Sequence, residues 1–158
     1  MKIEKGDDPN NLEIVITRDF NAPREMVFDA CTTPSAIKKW QDGPEGHTMP
    51  VCEIDLRVGG KWRFVWRMPD GSEMGAGGVY QEVNRPVRIV HTELFDEDWT
   101  GGESVVTSEF KDTPFGTTLV KTIKYASTEA RDGALTSPMS EGMEAGYRKL
   151  ASFLSQTV

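Results

Sequence analysis

A chain of 158 residues with 37% hydrophobic and 27% charged residues has the balance of a globular protein with a buried core, not of a disordered one. Its formal net charge of −7 argues against nucleic acid and anionic membrane surfaces, which are held chiefly by Lys and Arg displacing counterions. No apolar run approaches the roughly 20 residues of a membrane span, and the polar, acidic start lacks the pattern of a secretory signal, so a cytoplasmic location is expected.

Residues 1–11 read as a flexible segment and 12–156 as one domain. Leu12, Ile14 and Ile16 alternate with more polar neighbours, continuing to Arg18 and Phe20, which is the pattern of a half-buried strand. Asn21-Ala22-Pro23 ends it. A short helix follows to about Thr32, with Val27, Ala30 and Cys31 on one face. Thr33 then caps a second short helix that opens at Pro34 and ends near Trp40.

From Pro50 the pattern changes to strands and turns. Cys52, Ile54 and Leu56 alternate with Glu53 and Asp55, and Gly59-Gly60 turns the chain. Trp62, Phe64, Trp66 and Met68 then alternate with Arg63, Val65 and Arg67 at a period of two. Pro69-Asp70-Gly71 makes the next turn, since Pro presets φ and Gly accepts a positive one. Further strands are expected over 75–83, 88–94, 104–111 and 117–125, joined by short connections as in an antiparallel meander. A brief helical turn is expected over 129–134. Ser137-Pro138 then starts a long amphipathic helix of about four turns, with Met139, Met143, Tyr147, Leu150 and Leu154 at helical spacing. An antiparallel sheet with one wet face must bury the other, and only this helix is large enough to cover it.

Local motifs sharpen that order. Ala22-Pro23-Arg24-Glu25-Met26-Val27-Phe28, the stretch from Glu53 through Gly59-Gly60 to Phe64, and Pro69-Asp70-Gly71 occur in sequence. Gly78-Val79-Tyr80-Gln81-Glu82-Val83, Glu129-Ala130-Arg131-Asp132 and Gly142-Met143-Glu144-Ala145-Gly146-Tyr147 complete the set. Together they resemble the SRPBCC (START/Bet v 1-like) superfamily, and within it the bacterial branch named after the activator of heat-shock-protein-90 ATPase. The resemblance implies an α+β helix-grip fold: a curved antiparallel sheet wrapped around a long C-terminal helix, with two short helices after the first strand. It also implies a ligand-sized cavity. The superfamily spans lipid carriers, metabolite binders, cyclases and a co-chaperone domain, so function has to be argued from the site.

The expected ligand-binding residues are Trp40, Trp62, Phe64, Trp66, Tyr80, His91, Met143 and Tyr147. The aromatic strand makes either a dense core or the wall of a pocket for a flat ligand. Gly142 and Gly146, four apart on the last helix, either admit a closely packed strand or leave room for a ligand. His91 alternates with Ile89 and Glu93; if all three face inward, His91 and Glu93 form a candidate acid–base pair, the alternative being a satisfied core histidine or an exposed pair. Tyr80 either orients a ligand oxygen or fills the core. His47 sits in a glycine-containing loop beside Trp40, at a cavity rim or incidentally. Glu53 and Asp55 face water.

Cys31 and Cys52 lack Cys-x-x-Cys spacing and read as reduced, buried thiols. With only two histidines, far apart, no metal site is expected, and no phosphate-binding loop or Gly-x-Ser-x-Gly elbow occurs, so no cofactor is expected. Three functions compete. The first is a binder of a small hydrophobic or aromatic molecule in a largely apolar cavity. The second is a cyclase-, aromatase- or hydrolase-like enzyme using His91 with Glu93 or Tyr80. The third is an interaction module with a chaperone partner, for which the acidic loop around Trp99 is the candidate surface. The pattern specifies no oligomeric state.

Overall fold

In a computed structural model describing residues 1–157, the chain opens with β1 (Lys2–Lys5) and β2 (Glu13–Phe20), which pair antiparallel with Ile3 opposite Ile16. Strand β1 lies inside the segment expected to be flexible. The connection that returns it is ordered by Asp8, whose carboxylate accepts the Leu12 N–H at 2.8 Å and the Glu13 N–H at 3.2 Å. Asn11 supplies the positive φ of that turn, 55°, a conformation Asn tolerates better than most residues.

Two short helices follow, α1 (Arg24–Ala30) and α2 (Pro34–Trp40). Thr33 occupies the cap position of α2, but its side chain makes no capping hydrogen bond. The meander is β3 (Thr48–Ile54), β4 (Lys61–Arg67), β5 (Glu73–Asn84), β6 (Arg88–Phe95), β7 (Ser104–Thr113) and β8 (Gly116–Lys124). Helix α3 (Thr128–Thr136) is capped by the Ser127 hydroxyl, which accepts the Ala130 N–H at 3.0 Å. The last element, α4 (Met139–Thr157), is preceded by Ser137, whose hydroxyl accepts the Met139 N–H at 3.3 Å. Its 19 residues make about five turns, one more than expected.

The strands form one eight-stranded antiparallel sheet in the order β1-β2-β8-β7-β6-β5-β4-β3. Cross-strand partners share a face, so the register writes out the inner surface row by row. One row runs Ile14, Ile123, Val106, His91, Tyr80. The neighbouring row runs Ile16, Lys121, Ser108, Ile89. The apolar members of both rows are buried in one cluster with Tyr147, Leu150 and Leu154 of α4.

Two glycines on α4 turn out to differ. A methyl group at Gly146 would lie 3.5 Å from the Trp40 carbonyl oxygen, so this glycine allows close contact, but with α2 and not with a strand. Gly142 is exposed, and a methyl group there would meet nothing within 4 Å. A glycine whose place admits no side chain is Gly78 on β5. A Cβ there would fall 1.9 Å from the Thr92 carbonyl oxygen and 2.8 Å from Trp62 Nε1. The absent side chain lets the Trp62 indole cross β5 and donate to that carbonyl at 3.0 Å.

Gly78→Ala should therefore destabilise the protein by at least about 2 kcal/mol, through backbone overlap and loss of the indole hydrogen bond. Gly142→Ala should stabilise it by about 0.5–1 kcal/mol, because a solvent-facing helical glycine carries only an entropic cost. Urea denaturation of the two variants beside the parent checks both signs.

Candidate functional site

Five of the eight expected ligand-binding residues are buried. Trp62 and Phe64 pack ring to ring at 4.9 Å on β4, and Tyr80 joins them from β5. Trp40 donates its indole N–H to the Ala30 carbonyl at 2.9 Å and stacks on Tyr147, with 6.0 Å between ring centres. Phe20 meets the same Tyr147 ring edge-on at 5.7 Å. Trp66, His91 and Met143 keep accessible surface. The Trp66 indole N–H donates to the Gln41 carbonyl at 2.8 Å, tying β4 to the chain just after α2.

His91 points inward. Its ring stacks on Tyr80 with 5.9 Å between centres and 15° between planes, and lies 5.3 Å from the Trp62 ring. Among the described residues its buried Nδ1 atom has no hydrogen-bond partner. Two positions along β6, Glu93 shares that face, directly opposite the buried Ser104 of β7.

The residue that organises this region was not anticipated. Lys121 lies on the inner face of β8 between Leu119 and Ile123, flanked across the sheet by Ile16 and Ser108. Its ammonium is 5.8 Å from the centre of the Tyr147 ring, in cation–π range. The Tyr147 hydroxyl feels its charge but, among the described residues, has no hydrogen-bond partner of regular geometry. No carboxylate among the described residues lies within 4 Å of the ammonium. The signal was available: Leu119, Lys121, Ile123 and Tyr125 alternate, and a lysine on the apolar side of that alternation has to face the core.

The protonation states follow from this layout. Burial pushes His91 down to about 4, and the nearby Lys121 charge adds to the effect. Burial raises Glu93, with Lys121 opposing. Burial pushes the Cys31 thiol, at the end of α1, up to about 12, again with Lys121 opposing. Burial also works against the charge on Lys121, yet Tyr147, Cys31 and Glu93 favour it more, and the ammonium is held above the usual lysine range. Near neutral pH the interior therefore presents a protonated lysine, a neutral imidazole and a protonated thiol. Such a lysine is a charge anchor and a poor imine-forming amine, and the thiol is a poor nucleophile.

Other candidates fall outside this region. Glu53 and Asp55 are exposed, as expected, and Leu56, expected on the inner face, is exposed beyond the end of β3. His47 packs against Gly43 in its loop. Trp99 is half exposed, with its ring 5.3 Å from that of Phe95. Two surface depressions, one along the β3–β4 hairpin from Glu53 to Lys61 and one around Phe20 and Phe115, contain none of the eight expected residues.

Comparisons with known proteins add a frame. A crystallised protein from Rhodobacter sphaeroides is 32% identical, with a TM-score of 0.90 over 98% of each chain. A Mycobacterium smegmatis protein is 25% identical, with a TM-score of 0.82 over 98% of this chain and 96% of its own. A Nitrosomonas europaea protein at 24% identity shares the fold, with a TM-score of 0.82 over 95% of this chain and 97% of its own. A comparison with curated proteins finds no match. Among the described residues no helix is long and apolar enough to cross a membrane. The family model for Activator of Hsp90 ATPase homolog 1-like proteins matches residues 21–155, and the chain belongs to that family, within the SRPBCC (START/Bet v 1-like) superfamily.

Proposed function

We propose that this is a cytoplasmic, single-domain binder of a small hydrophobic or aromatic molecule, whose residues 12–156 curve a sheet around α4 and leave a space at the N-terminal end of that helix. One observation carries the reading. His91, Glu93, Lys121 and Met143 all belong to inward-facing stripes, and the three ionisable groups lie deep in the protein, yet each of the four keeps accessible surface. Residues on the same stripes next to them, such as Ile89, Val106, Ile123 and Leu150, are buried. Space between helix and sheet at this point explains both facts. Its walls would be aromatic on the β4–β5 side and aliphatic on the β2–β8 side, with few polar groups, as small-molecule sites commonly are.

The enzyme reading needs a base that takes a proton near neutral pH, and the depressed basicity of His91 weighs against it. The family keeps a chaperone partner as a second reading, for which Trp99 in the acidic loop is the candidate contact. The inward-facing accessible residues favour the binder.

Titration with the neutral fluorophore N-phenyl-1-naphthylamine should give saturable binding of one molecule per chain and should quench tryptophan emission, through Trp62 and Trp66. Absence of saturable binding, together with native mass spectra free of any adduct, would refute the reading.

The placement of His91 has a separate consequence for stability. The unfolded imidazole takes its proton near 6.5, whereas the folded one resists down to about 4. Stability from this group is therefore full above the unfolded value and is lost as pH falls towards the folded one. Between about pH 7 and about pH 4.5 the parent should lose about 2 kcal/mol relative to His91→Gln. Glu93 has the opposite tendency but is common to both proteins. Urea denaturation at the two pH values is the check, and equal pH shifts in both would place the imidazole in water.

A further inference from the structure

Resting on the apolar-binding reading, we infer that the ligand is an aromatic or aliphatic acid whose single anionic oxygen group is held by the Lys121 ammonium and the Tyr147 hydroxyl.

Three observations lead there. Lys121 is a cation on the inner face of the sheet, with no carboxylate within 4 Å among the described residues. A charge in that position is expensive unless something of opposite sign or strong dipole meets it. Tyr147 is 2% exposed, and its hydroxyl has no hydrogen-bond partner of regular geometry among the described residues. The ammonium lies 5.8 Å from the centre of that ring and interacts with its hydroxyl, so cation and hydroxyl can meet one anionic group. Ser108, directly opposite Lys121 on β7, puts a further hydroxyl on the same face. Around this point the surroundings are apolar: Ile16, Ile123 and Val106 on the sheet and Met143 one turn before Tyr147 on α4.

The sign and size of the ligand charge follow. A cationic ligand would be repelled by Lys121. A neutral one would add no opposite charge within 4 Å of the ammonium. A doubly charged group such as a phosphate ester would face one lysine, with Glu93 nearby and an overall formal charge of −7 against it. A monoanion such as a carboxylate on an apolar body satisfies the lysine, the hydroxyl and the walls together, with charge-assisted hydrogen bonds of the stronger class.

The test compares two ligands with the same body. 2-Naphthylacetic acid and 2-(2-naphthyl)ethanol are titrated calorimetrically into the parent, Lys121→Met and Tyr147→Phe. The acid should bind the parent at least about tenfold more tightly than the alcohol, the scale of one hydrogen bond to a charged group. Lys121→Met should abolish that preference while leaving alcohol affinity within about threefold. Tyr147→Phe, which keeps the ring and so guards against a folding artefact, should reduce the preference by about threefold or more. Equal binding of acid and alcohol to the parent, or an undiminished preference in Lys121→Met, overturns the inference and leaves the apolar-binding reading standing. If neither naphthalene binds, the inference also falls, and N-phenyl-1-naphthylamine titration of the same preparation decides whether the broader reading falls with it.

Discussion

A sheet and a helix have different widths. Eight strands at roughly 4.8 Å spacing span roughly 34 Å, whereas one helix with its side chains is roughly 10–12 Å across. The inner face of this sheet is apolar along most of its rows and has to be covered, yet α4 alone cannot reach from β1 to β3. Much of the organisation of the chain answers that mismatch. Helices α1 and α2, inserted between β2 and β3, cover part of the remainder, and α3 lies between the last strand and α4. Where these pieces meet, the packing is aromatic: Trp40 from α2 stacks on Tyr147 from α4, which Phe20 from β2 meets edge-on. Large flat rings suit a junction of this kind, because each bridges a wide gap with few rotatable bonds.

Tyr147 belongs to both halves of this arrangement. Its ring is structural, held from two sides, while its hydroxyl projects towards Lys121 and is left without a regular partner among the described residues. The same side chain that closes one region of the interior thus forms the edge of the next. Beyond it the inward-facing residues keep accessible surface, and three interior groups with perturbed acidity interact with a single charge. His91, Glu93 and Cys31 each respond to Lys121, which responds in turn to Glu93, Cys31 and Tyr147. Tyr125 answers chiefly to burial and then to Glu93.

Much of the architecture was legible in the chain because period-two alternation is a strong signal when one sheet face is dry. Trp62, Phe64, Ile89, Val106 and Ile123 all sit on the face their spacing implies. Other features rest on local or tertiary contacts that periodicity does not report. Strand β1 is mostly polar and pairs along one edge only, so hydrophobic periodicity could not report it; the Asp8–Leu12 hydrogen bond that orders its connection is an interaction of side chain with backbone. Gly142 and Gly146 look equivalent on a helical wheel, but only Gly146 has α2 beside it, which is a tertiary fact. The need for glycine at position 78 is invisible for the same reason, since it depends on how an indole two strands from β6 reaches the Thr92 carbonyl. Lys121 is a different case. Its position follows from the same alternation that places Leu119 and Ile123, although a lysine in a strand ordinarily faces solvent.

Lys121 changes the chemistry of the interior. Without Lys121, His91 and Glu93 look like a two-membered acid–base pair, and a pocket with few polar groups would be governed by shape. With it, the imidazole is driven further from the pH range where proton transfer is efficient, since burial and a neighbouring cation act in the same direction. Glu93 is pulled in opposite directions by burial and by the ammonium, so its charge depends on what else occupies the space. A bound carboxylate would partly neutralise Lys121 and push Glu93 further towards its protonated form. The site would then hold one anion at a time, its own or the ligand's. That exchange would limit discrimination between an acid and the corresponding alcohol, because the acid gains only what its carboxylate offers the ammonium beyond Glu93, less the cost of protonating Glu93.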